Sequence, residues 1–460
     1  MKIGSKFPFL GYSVIGISGL VLPQLLSCSG AEKKQAEKIK PNFIIILADD
    51  LGWSDVGYHG SEIKTPAIDK IASEGIEFDR FYVHSVCSPT RAALLTGRSP
   101  SRFNILAPLG DKPGFPAGTV TIAGLLQGQG YETKITGKWH LGADPEGRPM
   151  KFGFNESYGY LHGQIDPYTH LYKTGVKTWH RNDEFVEEEG HTTDLITAEA
   201  ISFINKQQDS PFFLYVTYSV PHYPLDEPAK WRDMYTGISN KSRAHFAASV
   251  SHMDNSIGRI LDAVKEKGIG KNTMIMFISD NGGQEEWSSK TDYNGKFEPN
   301  DVLGDNKPLR DWKTSLYDGA LRVPAILYWE GTLNRMKVNE AINVSDIYPT
   351  LANLAGARVP DELNIEGINF WPAVEGKKLP EDRVMYWKLN IGTAVKKGDW
   401  KLIRTGGKQK EVTEELYNIS ADPYETNDLS ETNKEKTDEL RKELLGQMAK
   451  DSLILEVINK

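Results

Sequence analysis

Three stretches of the chain are apolar from end to end and then stop abruptly in polar residues. "FIIILADD" ends at Asp49 and Asp50, "FFLYVTYSVPH" at His222, and "TMIMFISDNGG" runs into Asp280 and Asn281. A shorter run, "YETKITGKWHLG", carries Lys138 and His140. A strand with one wet face alternates apolar and polar residues. A strand without alternation is covered on both faces, as in a parallel sheet between helix layers. Helical periods lie between the runs: Ile68, Ile71 and Ala72 fit one stripe, and Ala247, Val250, Ile257, Ile260, Leu261 and Val264 fit another. The expected fold class is therefore α/β, a large mixed and mostly parallel sheet sandwiched by helices. Ligands of such sheets bind beyond the carboxyl ends of the strands, so these distant segments are placed to converge on one site.

Past Val374 the texture changes to short strand-like pieces, "RVMYWKL", "AVKKGDWKLIR" and "EELYNI". A polar turn and an amphipathic stripe of Leu440, Leu444, Leu445 and Met448 follow. Residues 41–374 are expected to form the main domain and 375–460 a smaller α+β domain. At the other end, Lys2 and Lys6 precede an apolar run from Phe7 to Leu26 and then "LLSC", the order of parts of an export signal. "LLSC" resembles the lipobox of bacterial lipoproteins, which makes 1–28 a signal peptide and Cys28 the lipid-bearing residue. The alternative is a single N-terminal span, since the run approaches the ~20 residues a crossing helix needs. Either reading takes the protein out of the cytoplasm, and the lipobox reading places it in the periplasm or at the surface of a bacterium, anchored by lipid. Residues 29–40, "SGAEKKQAEKIK", read as a polar tether. Lys and Arg total 54 against 62 Asp and Glu, and the net charge of -8 argues against a nucleic-acid partner.

The chain has two cysteines, and lipidation of Cys28 leaves Cys87 without a disulfide partner. In "CSPTRAALLTG" Pro89 suits a first helical turn, the alanines and leucines propagate it, and Gly97 ends it. Cys87 then stands at a helix entrance that attracts anions, with Arg91 one turn further on the same face. Asp49, Asp50, Asp280 and Asn281 offer hard oxygen ligands at two strand ends and suit Ca²⁺ or Mg²⁺ rather than zinc. Taken singly, each pair is also ordinary turn material. To face one ion, the adjacent residues must lie just past their strands. Lys138 and His140, two apart in an extended run, share a face. His222 and Lys313, each at a strand end or in a loop, are unremarkable alone. His245 and His252 lie seven apart on one helix face, but no carboxylate at ligand spacing stands out for them.

"CSPTR" followed by "AALLTGR" resembles the signature of type I sulfatases in the alkaline-phosphatase superfamily. "NFIIILADDLGWSDVGYHG", "TGKWHLG", "ISDNGG", "YDGALRVP" and the closing "ELYNISADPYETNDL" match in order, over nearly the whole chain after the tether. The resemblance implies an alkaline-phosphatase-like fold and a sulfuric ester hydrolase. It also implies that a maturation enzyme oxidises Cys87 to Cα-formylglycine. One hydroxyl of the hydrated aldehyde attacks sulfur, and the other then collapses to release sulfate. By the same resemblance Asp49, Asp50, Asp280 and Asn281, with the modified Cys87, hold Ca²⁺, and Arg91 stabilises the site. Asp280 takes the attacking proton, Lys138 and Lys313 hold sulfate oxygens, His222 with Lys313 protonates the leaving group, and His140 serves as a base. Two features depart from the pattern: Asp318 and Ala320 stand where many relatives have Glu and Gly, and Asp311 and Trp312 where small residues are common. "SYGYLHGQIDPYTH" and "LYVTYSVPHYPL" resemble the arylsulfatase B branch, which acts on 4-sulfated N-acetylgalactosamine; there His162, Asp166 and His170 are expected to touch the sugar. The expected partner is a sulfated saccharide, with a phosphate or phosphonate ester, or sugar binding without catalysis, as the alternatives.

Overall fold

The structure, a computed structural model, describes residues 40–458 apart from 111, 408 and 409, together with residue 11. The expectations for 1–28, including Cys28, and for residues 29–39 of the tether lie outside the described residues.

The apolar runs become the centre of a ten-stranded sheet. Its strands are β1 Asn42–Ala48, β2 Ile76–Tyr82, β3 Glu132–Lys138, β4 Glu156–Tyr160, β5 Trp179–Arg181, β6 Glu184–Phe185, β7 Phe212–Thr217, β8 Thr273–Ser279, β9 Ala325–Tyr328 and β10 Met336–Asn343. They lie in the order β10-β2-β9-β8-β1-β7-β3-β4-β5-β6. β1 is parallel to both of its neighbours, with Leu47 opposite Thr217 and Ala48 opposite Ser279, and β3 is parallel to β7 and β4. Antiparallel pairing is confined to β9 with its two neighbours and to the β4-β5-β6 edge.

The missing alternation in β1 has the expected cause. Phe43, Ile45 and Leu47 pack into one core with helix residues Ala92 to Leu95, Ile122 and Ile347. Ile44, Ile46 and Ala48 pack on the opposite face with Ile68, Ile196 and Ile257. The predicted stripes are the buried faces of helices Pro66–Glu74 and Lys241–Glu266, except that Leu261 is only half-buried at the edge of the second. Each fully buried aliphatic side chain contributes about 1.5–3 kcal/mol, so both faces of β1 hold the centre rigid. Parallel alignment also brings the ends of β1, β3, β7 and β8 to one edge, which is what positions the site.

The C-terminal pieces form a separate antiparallel sheet, β11 Val384–Leu389, β12 Gly392–Lys397, β13 Trp400–Gly407 and β14 Lys410–Asn418, in sequential order. "AVKKGDWKLIR" is thus two strands, turned at Gly398, whose φ of 56° suits glycine. Helix Lys434–Ile458 buries Leu440 and Leu444 against Val395, Leu402 and Leu416, whereas Leu445 is exposed, so the apolar stripe is narrower than its sequence suggests. On the other face, Trp387, Ala394 and Ile403 pack with Tyr82, Leu316 and Leu321 of the large sheet's side. Asp318, one of the two departures in "YDGALRVP", receives Lys401 Nζ of β13 at 2.7 Å there. No helix among the described residues is long and apolar enough to cross a membrane.

Candidate active site

β1 stops at Ala48, and Asp50 adopts a left-handed φ of 69°, which turns two adjacent carboxylates toward one point past the strand. The Asp50 N–H donates to Asp280 Oδ1 at 3.3 Å, and Asn281 Nδ2 donates to Asp50 Oδ1 at 2.7 Å, so the ends of β1 and β8 are laced together. Helix Cys87–Thr96 opens at Cys87 after the extended Val86 and ends at Gly97 with φ 66°. Cys87 is buried, its Sγ 3.5 Å from Asp49 Oδ1. Arg91 is fully buried and forks onto Asp280 Oδ2 through Nε at 3.2 Å and Nη2 at 2.7 Å, while Nη1 donates to the Lys138 carbonyl at 3.0 Å. Lys138 Nζ reaches Asp49 Oδ2 at 2.6 Å, and Lys313 Nζ reaches Asp50 at 2.7 Å. His222 Nε2 stands 3.7 Å from Asp50 Oδ2. Lys138 and His140 do not share a face by strand alternation as expected. β3 ends at Lys138, and His140 reaches the site through a left-handed φ of 57°. A Cβ on Gly163 would stand 2.6 Å from the His140 ring, so only glycine leaves the imidazole its place.

Cations balance carboxylates one for one here: Arg91 with Asp280, Lys138 with Asp49, Lys313 with Asp50. Burial, opposed by Lys138, raises the Asp49 carboxyl to about 7, with Asp280 and Asp50 adding to the rise. Burial would also raise Asp50, but Lys313 and His222 overcome it and hold that carboxyl at about 2. Burial pushes the Cys87 thiol up to about 12 against the pull of Lys138 and Lys313. An unmodified thiol is therefore protonated at neutral pH and a poor nucleophile. Asp49, Asp50, Cys87 and Asp280 each present a ligand atom within 4.8 Å of the others, and Asn281 Oδ1 is buried beside them with no hydrogen-bond partner. An orphaned amide oxygen among carboxylates fits a hard divalent cation.

The cluster lies at the foot of a cleft of about 580 Å³, with Cys87, His140, His222 and Lys313 in its lining. Asp311 and Trp312, the second departure, also line it. The three expected sugar contacts do not. His162 is occupied by Thr178 Oγ1 at 2.8 Å and stacks on Tyr172. Asp166 caps the Tyr168 and Thr169 N–H groups and pairs with Lys296 at 2.7 Å. His170 binds the Gly190 carbonyl and stacks on Trp179. The same segment nevertheless reaches the cleft through Gly163, Gln164, Tyr172 and Lys173. Sequence reasoning favoured its titratable residues, which here build the loop, over the neighbours that line the cleft. Trp287 was missed altogether: it lines the cleft and stacks on Tyr223 at 4.7 Å, and its signal is a lone tryptophan in the polar run "GGQEEWSSK".

A mixed sheet with a buried carboxylate cluster at its strand ends, a helix-entrance cysteine and paired lysines defines an alkaline-phosphatase-like hydrolase of anionic esters. The family model described as Sulfatase matches residues 41–357, and that described as N-sulphoglucosamine sulphohydrolase, C-terminal, matches 311–452. The chain belongs to the sulfatase family. It is 32% identical over 387 residues to the N-acetylgalactosamine-6-sulfatase of Mus musculus, covering 78% of this chain and 71% of that one. Arylsulfatase J of Mus musculus is 32% identical over 382 residues, 78% of this chain and 60% of that one. The crystal structure of Ps i-CgsB in complex with k-i-k-neocarrahexaose superposes with a TM-score of 0.79 at 32% identity, covering 90% of this chain and 93% of that one. The protein is accordingly a sulfatase, a sulfuric ester hydrolase.

Proposed function

We propose that the protein removes sulfate from a galactose or N-acetylgalactosamine unit of a glycan, with Cys87 converted to formylglycine by a maturation enzyme and Ca²⁺ held by Asp49, Asp50, Asp280 and Asn281. The observation that carries this reading is the buried Cys87 on the cleft floor, flanked by balanced carboxylates and cations, with a thiol too weakly acidic to act unmodified. Hydrated, the aldehyde supplies two hydroxyls on one carbon, one to attack sulfur and one whose collapse frees the sulfate. The divalent ion supplies fixed positive charge beside the reacting oxygens.

The chain's own residues do the rest. Arg91, clamped on Asp280, fixes that carboxylate as the acceptor of the attacking hydroxyl's proton and adds positive charge at the helix entrance. Lys138 and Lys313 bind the sulfate oxygens. Burial alone would lower the Lys313 ammonium, but Asp50 with Cys87 and Asp49 holds it above its ordinary value, so Lys313 carries a proton at rest. Burial holds His222 at about 3 despite Asp50, and its Nδ1–H donates to the Tyr223 carbonyl, which leaves Nε2 facing the site. The leaving oxygen therefore draws its proton from Lys313, with Nε2 of His222 beside it. His140 is neutral too, because burial and the neighbouring Lys138 and Arg91 hold it well below its ordinary value, and its Nδ1 has no partner; it is the base that frees sulfate.

The galacto-configured substrate is supported by the names of the relative and of the ligand in the solved complex. The 4-O position rests on the arylsulfatase B resemblance of the segments around Tyr158 and Tyr218, whereas the relative's name supports the 6-O position. Desulfation of defined 4- and 6-sulfated galactose and N-acetylgalactosamine saccharides separates the two. Activity confined to sulfated glucosamine overturns the substrate, and faster cleavage of an aryl phosphate than of an aryl sulfate overturns the reaction. The peptide Phe81–Arg91 from active protein is expected to carry the aldehyde at position 87; unmodified cysteine throughout overturns the mechanism. Anchoring outside the cytoplasm through Cys28 is part of the same proposal, tested by lipid labelling.

A further inference from the structure

His252, which lacked a carboxylate at ligand spacing, acquires one from elsewhere in the chain. His191 caps helix Thr192–Lys206, Glu227 lies in the segment beyond His222, and His252 is in the middle of helix Lys241–Glu266. Each presents a ligand atom, and these atoms lie within 4.8 Å of one another. The residues are 4%, 3% and 1% exposed. Hydrogen bonding leaves the group unfinished. His252 Nδ1 is 2.6 Å from Glu227 Oε2, and His191 Nε2 faces the same oxygen at 3.6 Å, beyond bonding range. His191 Nε2 and Glu227 Oε1 are buried with no hydrogen-bond partner. Two imidazoles converging on one carboxylate oxygen, while the other oxygen is bare, make a poor proton network. They are a good donor set for a cation that takes nitrogen as well as oxygen.

We propose that His191, Glu227 and His252 form a second metal site, for a zinc-class divalent ion. Two imidazoles and a carboxylate suit zinc and its transition-metal neighbours, whereas calcium and magnesium prefer all-oxygen cages such as the strand-end cluster. Ligand atoms of a tetrahedral zinc site lie roughly 3.3 Å apart, so the 3.6 Å spacing fits as it stands. The 2.6 Å pair opens by well under an ångström when the ion replaces the shared proton. That proton passes to water, and the His252 ring keeps its other proton on Nε2, toward Asp194. His191 now accepts the Thr193 N–H on Nδ1 at 3.2 Å, so its own proton moves from Nε2 to Nδ1 and that contact is given up. Asp194, whose Oδ2 stands 3.4 Å from His252 Nε2 and whose side chain is 43% exposed, connects the cluster to solvent. Trp231 stacks on His252 and Tyr168 meets the His191 ring edge-on, closing the other sides. The ion would tie the segment carrying Glu227, five residues past His222, to helix Lys241–Glu266.

The site does not depend on the proposed hydrolysis, and the test keeps the two apart. Full-length protein is stripped with chelator, incubated with excess zinc or cobalt and dialysed against calcium buffer. The Cys87→Ala variant is carried in parallel to remove the thiolate of the other cluster. The expected result is one zinc per chain by elemental analysis in both proteins, and for cobalt a tetrahedral visible spectrum without thiolate charge transfer. His191→Gln and Glu227→Gln are expected to lose both signals with an unchanged far-ultraviolet circular dichroism spectrum. No uptake by the parent chain, or uptake that survives in folded His191→Gln, overturns the site. If the variants do not fold, zinc X-ray absorption of the Cys87→Ala protein decides: a first shell of imidazole and oxygen supports the site, and an oxygen-only shell overturns it.

Discussion

Two clusters of buried charge occupy the same fold and differ in what they leave undone. At the joint with the small sheet, Lys401 Nζ donates to Asp318 Oδ1 and Glu425 Oε1, both at 2.7 Å. Tyr82 OH donates to Asp318 Oδ2 at 3.0 Å, and the Asp318 N–H to Glu425 Oε2 at 2.7 Å. Every carboxylate oxygen has a donor, and Asp318 and Lys401 are fully buried. The strand-end cluster pairs its charges as completely, yet Asn281 Oδ1 and His140 Nδ1 remain bare, and it opens on a cleft. Burial and ion pairing are common to both. Residual bonding capacity facing a cavity is what distinguishes a site that acts on something else from one that holds the protein to itself.

The largest expected effect separates the clusters by activity. Cys87→Ala is expected to lower kcat/KM for a sulfate ester by about 10⁴-fold or more while the melting temperature holds. Activity within tenfold of the parent would remove Cys87 from the chemistry. Lys401→Met is the mirror experiment. Removing one partner of a buried ion pair destabilises by about 3–5 kcal/mol, because the two carboxylates are stranded, while turnover per folded molecule is unchanged. Denaturant unfolding and active-site titration read the two quantities; a lost kcat in folded protein would break the distinction. Next in size is the cation. Calcium at about a hundredfold excess over its dissociation constant is expected to stabilise chelator-treated protein by about 2.7 kcal/mol. Asn281→Leu, which removes the orphaned oxygen, is expected to shrink that shift in a thermal scan, whereas Lys401→Met leaves it intact. An equal shift in Asn281→Leu places the ion elsewhere.

Much of this was legible in the sequence, for physical reasons that also mark where reading stops. Unalternated strands can exist only between two cores, so "FIIILADD" and "TMIMFISDNGG" announced a parallel centre and its functional edge. "CSPTRAALLTG" announced its helix because propensity, proline and glycine agree. What the sequence does not carry needs three dimensions. Asp318 is a bare departure from the pattern in the sequence because its partner Lys401 is far along the chain. His162, Asp166 and His170 looked like ligands because titratable side chains draw the eye, but all three are held by their own loop or by Lys296. His252 has no carboxylate at ligand spacing in the sequence because Glu227 and His191 reach it across space rather than along its helix. Trp287 has no periodicity at all, and only the cleft gives it meaning.

The smallest effect tests the comparison on a group belonging to neither cluster. His84, three residues before Cys87, is 4% exposed, and burial alone lowers its imidazole from 6.5 to about 3. The folded state therefore resists the proton that the unfolded state accepts between those values. The stability due to the neutral ring is complete above pH 6.5 and is lost as pH falls toward 3. At pH 5 the loss from this one ring is about 2 kcal/mol relative to neutral pH. His84→Leu removes that share, so the gap in unfolding free energy between pH 7.5 and 5 should narrow by about the same amount. His180, held by burial at about 4, keeps its own contribution in the variant and prevents the gap from closing fully. Identical pH slopes in parent and variant would mean that His84 finds a compensating charge in the folded state. Burial without a partner would then not be the third condition that sets both clusters in relief.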